Sequence, residues 1–186
     1  MPVTEKPGKK TIYRISDNFF TFWYRFVPPY LSAIESDRID RIYDTAIKNE
    51  LSNYIGLVFE QMCRAYLIKN GDRLPVLISN ADRWWGSDKT EKKEVEIDLV
   101  GVPVKGREYL ICSCKYRNAA TGVDEPEKLR KYAAVFGKGG KYHYCIFSKG
   151  GFTEGLKVAA ARGEVTLVSP EEMYKTDIYN RAGDGI

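Results

Sequence analysis

The segment from Glu108 to Tyr116 constrains the fold most, because it is apolar at almost every position until Ser113 and Lys115. A strand that is apolar on both faces lies in the middle of a sheet and is covered by other elements on each side. A lysine in such a strand costs free energy unless it is paired or reaches water. We therefore expect a sheet built around this strand, and Lys115 is the first candidate for a functional residue.

The segments before and after this strand predict a mixed sheet with helices on its faces. Hairpin-connected strands precede it, and a helix crosses over to the next strand after it, which is the order of an α/β fold. The predicted elements are a helix over 38–70, strands over 76–78, 94–100, 108–116, 142–148 and 165–168, and helices that begin near 124, 153 and 170. Trp84-Trp85-Gly86 and the polar residues up to Lys93 are predicted to form a hairpin loop.

An aromatic helix is predicted near the N-terminus. Asp17 can cap it, its apolar residues recur at three- and four-residue spacing, and Pro28-Pro29 ends it. Such a helix must pack on the rest of the chain or on a partner, and packing in the core is the preferred interpretation. The predicted organisation is a disordered N-terminus over 1–10, a helical arm over 11–50, a main domain over 51–176 and a flexible tail over 177–186.

Composition limits the classes of function. The net charge of +4 permits nucleic-acid binding but does not argue for it. The four cysteines fit neither a paired zinc motif nor a disulfide framework, and we interpret them as buried thiols in a reducing cytosol. The first residues are polar and basic, and no apolar run approaches the roughly 20 residues of a membrane span. A soluble cytoplasmic protein without membrane partners is expected.

Two polar residues on consecutive strands suggest a metal-assisted reaction. Asp98 lies in the alternating segment 94–100, and Lys115 lies on the next strand. Carboxylates supply the hard oxygens that Mg²⁺ prefers, and a lysine beside them can orient an attacking water. Two simpler interpretations stay open, in which Asp98 caps a turn or Lys115 forms a buried ion pair with Asp98 or Glu60.

Several short motifs follow one another in an order that resembles a known family. The chain resembles the C-terminal domain of the archaeal-type prokaryotic ATPases, a domain of unassigned function in the PD-(D/E)XK nuclease superfamily, over about residues 11–175. The resemblance implies a restriction-endonuclease-like central mixed sheet flanked by helices. The motifs that carry it are Tyr13-Arg14-Ile15-Ser16-Asp17, Phe22-Trp23-Tyr24-Arg25-Phe26, Gly56-Leu57-Val58-Phe59-Glu60, Trp84-Trp85-Gly86, Glu96-Ile97-Asp98, Cys114-Lys115-Tyr116 and Phe147-Ser148-Lys149-Gly150-Gly151-Phe152.

The resemblance also implies a site for Mg²⁺ or Mn²⁺. Its helix glutamate falls on Glu60, its strand aspartate on Asp98 and its lysine on Lys115, with Asp98 and Glu60 as the metal ligands. The carboxylate expected two residues before the lysine falls on Ser113, a neutral and weak ligand. Glu96 could supply part of the missing charge. The implied function is DNA binding or processing, with phosphodiester hydrolysis weakened or lost at this degenerate position.

The ATPase part of such proteins is not encoded in this chain. Gly137-Lys138-Gly139-Gly140-Lys141-Tyr142 has the wrong spacing for a P-loop and lacks its hydroxyl residue, so no nucleotide site and no ATPase activity are expected. DNA is the preferred nucleic-acid partner, and an ATPase module is a further one. The aromatic N-terminal helix motivates a second hypothesis, a non-catalytic regulatory or docking module for an ATPase or another protein.

Overall fold

A computed structural model of the chain describes Ile15 and residues 17–181, except for the side chains of residue 72 and residues 176–181. These residues divide into two compact units, of which the first ends at Phe59 and the second begins at Glu60. The helices are α1 (Asn18–Phe26), α2 (Leu31–Glu35), α3 (Ile39–Ile42), α4 (Lys48–Lys69), α5 (Asp124–Phe136), α6 (Glu154–Ala161) and α7 (Pro170–Arg181), and the strands are β1 (Ile78–Asp88), β2 (Lys93–Pro103), β3 (Glu108–Lys115), β4 (Lys141–Ser148) and β5 (Thr166–Val168).

The first unit is a small helical cluster around three buried side chains. Asp17 accepts a hydrogen bond from the Phe20 N–H and so caps α1, as its position in the sequence predicts. Phe26, Ile47 and Tyr54 form the core of the unit. The helix predicted over 38–70 is confirmed, because residues 39–69 are helical without a break; a π-helical turn over 43–47 joins α3 to α4.

The second unit is built on a five-stranded mixed sheet in the order β1-β2-β3-β4-β5. β1 pairs with β2 and β2 pairs with β3 in antiparallel orientation, whereas β3, β4 and β5 run parallel to one another. The central place predicted for β3 is confirmed, and so is a mixed sheet flanked by helices. Because β3 and β4 are parallel, the chain must cross over between them, and α5 makes that crossover.

The hairpin loop predicted at Trp84-Trp85-Gly86 is wrong, because these residues lie inside β1. Trp84 is buried, and its ring centroid lies 5.3 Å from that of Phe136 on α5. A Cβ at Gly86 would meet the Trp84 ring at 2.4 Å, so only glycine lets this ring lie along the strand. The tryptophan therefore belongs to the core between the sheet and α5, where it stabilises a long first strand.

A β-bulge interrupts the alternation of β2 at Asp98 and Leu99. Asp82 pairs with Val100 and Trp84 pairs with Ile97, so β2 has two residues between these pairs where β1 has one. Ile97 and Val100 consequently belong to the same core cluster although they are three residues apart. The alternation expected over 94–100 is therefore wrong beyond Ile97. Bulges re-aim side chains, and this one falls on a candidate site residue.

Helices cover the sheet on both sides. Leu129, Ala133 and Phe136 of α5 pack in one core cluster with Ile111 and Ile146 of the sheet. On α4, Tyr66 packs edge-to-face on Phe147, with ring centroids 5.8 Å apart. The last helix, α7, runs past residue 176, where a tail was predicted to begin; residues 1–10 and 182–186, also predicted to be disordered, lie outside the described part of the chain. In that part, no helix combines the length and the apolar composition needed to cross a membrane.

Candidate functional site

Asp98 is held at the bulge by groups of the neighbouring strand. Its Oδ2 accepts the backbone N–H of Cys114 at 2.7 Å and lies 3.3 Å from the Ser113 hydroxyl. Both groups belong to β3, in which residues 110–113 are buried. These contacts fix the carboxylate beside the serine that occupies the expected position of a second carboxylate, so the two predicted positions do come together.

A carboxylate that the sequence interpretation did not identify completes this arrangement. Glu125 lies in the first turn of α5 and is only 5% exposed. The Ser113 hydroxyl donates to Glu125 Oε1 at 2.8 Å. In the sequence, Glu125 stands at the predicted start of the helix near 124. A signal was available, because the crossover from β3 to β4 brings the first turn of α5 to the end of β3, where Lys115 lies.

Lys115 is paired with the same glutamate. Its Nζ lies 3.0 Å from Glu125 Oε1. Burial by itself would raise the pKa of Glu125, but the Ser113 hydrogen bond and the charges of Lys115 and Lys128 together hold this pKa below its ordinary value. Glu125 is therefore a fixed anion. The open alternative of a buried ion pair for Lys115 is realised, although the partner is neither Asp98 nor Glu60.

These groups line one small cleft that is open to solvent. Each carboxylate receives its hydrogen bonds from the described residues on a single oxygen, Oδ2 of Asp98 and Oε1 of Glu125. The other oxygen of each carboxylate is left for a further ligand. The cleft is lined by Glu96, Ile97, Asp98, Cys112, Ser113, Lys115, Glu125, Lys128, Leu129 and Tyr132.

Glu60 has a different partner. Arg83 on β1 lies 2.5 Å from Glu60 Oε2 and 2.7 Å from Glu96 Oε1, so it bridges both carboxylates. Burial raises the pKa of Glu60, and the arginine only partly offsets this effect. Glu60 does not line the cleft of Asp98 and Lys115. The structure thus brings Asp98, Ser113 and Lys115 together at the cleft and places Glu60 with Arg83 outside it. Glu96 belongs to both groups, because it lines the cleft and also pairs with Arg83.

The carboxylates of the cleft are the groups that could hold a divalent cation. In the described part of the chain, no three histidine, cysteine, aspartate or glutamate side chains are grouped to hold a metal. Mg²⁺ does not need three, since it keeps several waters and is often held by one or two carboxylates together with substrate phosphates. Asp98 and Glu125 offer one unengaged oxygen each beside an open cleft, and they fit that preference.

The comparisons with known proteins place the chain in a family. Residues 23–129 match the family DUF234, described as archaeal and bacterial proteins of unknown function. The chain belongs to the DUF234 family. The match includes Asp98, Ser113, Lys115 and Glu125, so the site falls within the family region.

A curated relative of this DUF234 protein is the uncharacterized protein MJECL04 of Methanocaldococcus jannaschii. It is 33% identical over 158 residues, which cover 74% of this chain and 33% of the relative. The chain therefore spans about a third of the length of the relative that it matches.

Two solved structures resemble the DUF234 chain in fold. Protein VC1899 from Vibrio cholerae matches with a TM-score of 0.50 and 17% identity, over 68% of this chain and 33% of that one. A protein of unknown function, AF1548, matches with a TM-score of 0.47 and 20% identity, over 65% of this chain and 66% of that one. At such identity the first likeness concerns the fold alone, and the second is too weak to support an argument.

Proposed function

We propose that this DUF234 domain is a metal-dependent nuclease-like domain that binds DNA and hydrolyses its phosphodiester bonds. Glu125 carries the proposal, because its carboxylate lies 2.8 Å from the hydroxyl of Ser113 and beside Asp98 and Lys115. A helix glutamate thereby takes the place of the strand carboxylate that Ser113 does not supply. In this proposal the site is rearranged, and hydrolysis is retained.

The residues divide the work according to their chemistry. Asp98 and Glu125 would hold Mg²⁺ or Mn²⁺ through the oxygens that their fixed hydrogen bonds leave available. A divalent cation bound there would lower the pKa of a coordinated water and polarise a phosphate oxygen. Lys115 has three N–H donors, of which one faces Glu125, so the others can orient a water or a phosphate oxygen. Ser113 keeps Glu125 in place.

The same proposal includes the fold superfamily, the cellular location and a partner of the domain. A restriction-endonuclease-like fold in the PD-(D/E)XK superfamily is supported by a mixed sheet whose central strand carries Lys115 and whose neighbour carries Asp98. A cytoplasmic location is supported by four free cysteines, which persist in reducing compartments. Because the chain spans a third of its relative, an ATPase module as a partner is also only proposed.

A second candidate function is a non-catalytic docking or regulatory module. The observation that favours it is the exposed aromatic surface of α1, where Phe19 is 64% and Trp23 is 44% exposed. Large exposed aromatic groups are typical of interaction surfaces. The two functions differ in their dependence on salt, because a domain that contacts phosphates must lose DNA affinity steeply as salt rises. An absence of DNA binding at low salt would favour docking.

The test is DNA cleavage combined with metal binding. Supercoiled plasmid and linear duplex are incubated with the protein in Mg²⁺ or Mn²⁺, and the melting temperature of the protein is followed as each metal is added. Asp98→Ala, Glu125→Gln and Lys115→Ala should each reduce cleavage roughly 100-fold or more. The matched control is Glu127→Gln, an exposed glutamate in the same first turn of α5, which should cleave like the wild type.

Either of two results would contradict the proposal. In the first, cleavage persists in both Asp98→Ala and Lys115→Ala, which would mean that a contaminant or another site is responsible. In the second, the wild-type protein neither binds the metal nor cleaves DNA. The circular dichroism spectrum of each variant establishes that a loss of activity is not a loss of fold.

A further inference from the structure

Lys128 lies one turn after Glu125 on α5 and also lines the cleft. Its Nζ lies 5.3 Å from the centre of the Tyr132 ring. Residues at i, i+3 and i+7 share one face of a helix, so Glu125, Lys128 and Tyr132 lie along one stripe. Among the described residues, Lys128 forms no ion pair with a carboxylate, whereas Lys115 is paired with Glu125.

The cleft has balanced charge at its centre. Asp98 and Glu125 carry two negative charges, and Lys115 and Lys128 carry two positive ones. Glu96, which also lines the cleft, is paired with Arg83. A phosphodiester therefore gains little from the cleft without a cation, but a divalent cation on the two carboxylates would leave the surplus charge that a phosphate requires.

From this arrangement we propose that Lys128 is a phosphate-contacting residue for a nucleic-acid strand, and that Tyr132 positions its ammonium. This inference rests on the proposed function, since it takes Asp98 and Glu125 as the ligands of the cation. Tyr132 is half-buried against the core cluster, so its ring is a fixed support. A cation held on an aromatic face keeps its other sides open to an anion. DNA binding at this cleft consequently requires the divalent cation first.

The experiment measures DNA affinity without cleavage. Fluorescence anisotropy of a labelled DNA duplex is recorded with the full chain in Ca²⁺, a hard cation that also binds carboxylate oxygens. Lys128→Ala should weaken the affinity about tenfold and lower the slope of log affinity against log salt by about one. Lys128→Arg should restore most of the affinity. Lys131→Ala is the matched control, because Lys131 is an exposed lysine of the same helix that does not line the cleft.

Tyr132 and the cation are tested with the same probe. Tyr132→Phe should bind DNA like the wild type, because the aromatic face is kept, and Tyr132→Ala should lose affinity in the same direction as Lys128→Ala. Without Ca²⁺, the wild-type affinity should fall to that of Lys128→Ala or below. Equal affinity of Lys128→Ala and Lys131→Ala, or no DNA binding by the wild type in Ca²⁺, would overturn the inference.

Failure of this inference can be told from failure of the proposed function. The melting temperature is measured with Ca²⁺ alone, in the absence of DNA, for the wild type and for Lys128→Ala. If Ca²⁺ changes the melting temperature of neither protein, Asp98 and Glu125 are not cation ligands, and the proposed function fails together with the inference. If Ca²⁺ shifts both and plasmid cleavage needs Asp98, but Lys128→Ala binds DNA normally, only the role of Lys128 is refuted.

Discussion

The Ser113 hydroxyl lies 2.8 Å from Glu125 Oε1 and connects the middle of β3 to the first turn of α5. Lys115, two residues further along the same strand, pairs with the same oxygen at 3.0 Å. The glutamate is thereby fixed by two donors from one strand. Because Ser113 is neutral and can donate a hydrogen bond, the carboxylate of Glu125 can lie beside it. A carboxylate at position 113 would repel Glu125 instead.

Ser113→Ala tests how much this hydrogen bond contributes to the free energy of unfolding. Glu125 would keep Lys115 but lose a donor in a buried site, and hydrogen bonds to charged groups contribute about 1.5–3 kcal/mol. We expect the free energy of unfolding in urea to fall by about 2 kcal/mol. The control is Ser87→Ala, an exposed serine of β1, which should change it by less than about 0.5 kcal/mol.

Ser113→Asp tests whether the vacant carboxylate position can be refilled. The new charge would be buried between Asp98 and Glu125, so we expect it to lower the free energy of unfolding in EDTA by roughly 3 kcal/mol. Mg²⁺ should raise the melting temperature of this variant more than that of the wild type, because it would neutralise the added charge. A variant as stable as the wild type in EDTA would contradict the assigned geometry.

Glu125→Gln tests the origin of acid sensitivity. The folded-state pKa of Glu125 is lowered, since Ser113, Lys115 and Lys128 outweigh the effect of burial. Its contribution to stability is therefore present above its ordinary pKa of 4.5 and is lost as the pH falls through the lower folded value. In Glu125→Gln the decline of stability below about pH 4.5 should be shallower than in the wild type, whereas exposed Glu127→Gln should leave it unchanged.

Arg83→Ala tests the second group of charges. Glu60, whose side chain is 22% exposed, would lose the arginine that offsets its burial, so its raised pKa should rise further. We expect a loss of about 1 kcal/mol at pH 7, because Arg83 is itself partly exposed. Since protonated Glu60 needs no partner, the loss should shrink as the pH falls through the raised folded-state pKa of Glu60. The double variant Arg83→Ala with Glu60→Gln should recover stability at pH 7; continued loss would refute the pairing.

Tyr54→Phe tests the helical unit alone. The Tyr54 hydroxyl donates to the carbonyl of Asn18 at 2.6 Å and ties α4 to the start of α1. Removing it should lower the free energy of unfolding by about 1 kcal/mol, measured by the near-ultraviolet dichroism of the aromatic cluster during urea denaturation. Tyr24→Phe, at an exposed position of α1, is the control that should have no such effect.

The parts that could be predicted were those encoded by local pattern. A run that is apolar on both faces placed β3 in the middle of the sheet, and the cap at Asp17 located the start of α1. The helix of the crossover between β3 and β4 was expected from the same order of elements. Trp84 misled the interpretation, since a turn-like Trp-Trp-Gly segment proved to be a strand whose glycine leaves space for the buried ring.

Apart from the first strand, the sequence by itself determined which elements form, because apolar periodicity and capping residues act over a few neighbouring positions. It also singled out Asp98 and Lys115 as polar groups in buried strands. Only the tertiary structure decided their partners. The crossover helix α5 places Glu125 beside Ser113 and Lys115, and Glu60 forms an ion pair with Arg83 of β1. Which carboxylate lies beside which cation depends on separations in space between distant segments, and a bulge of one residue at Asp98 is enough to change them.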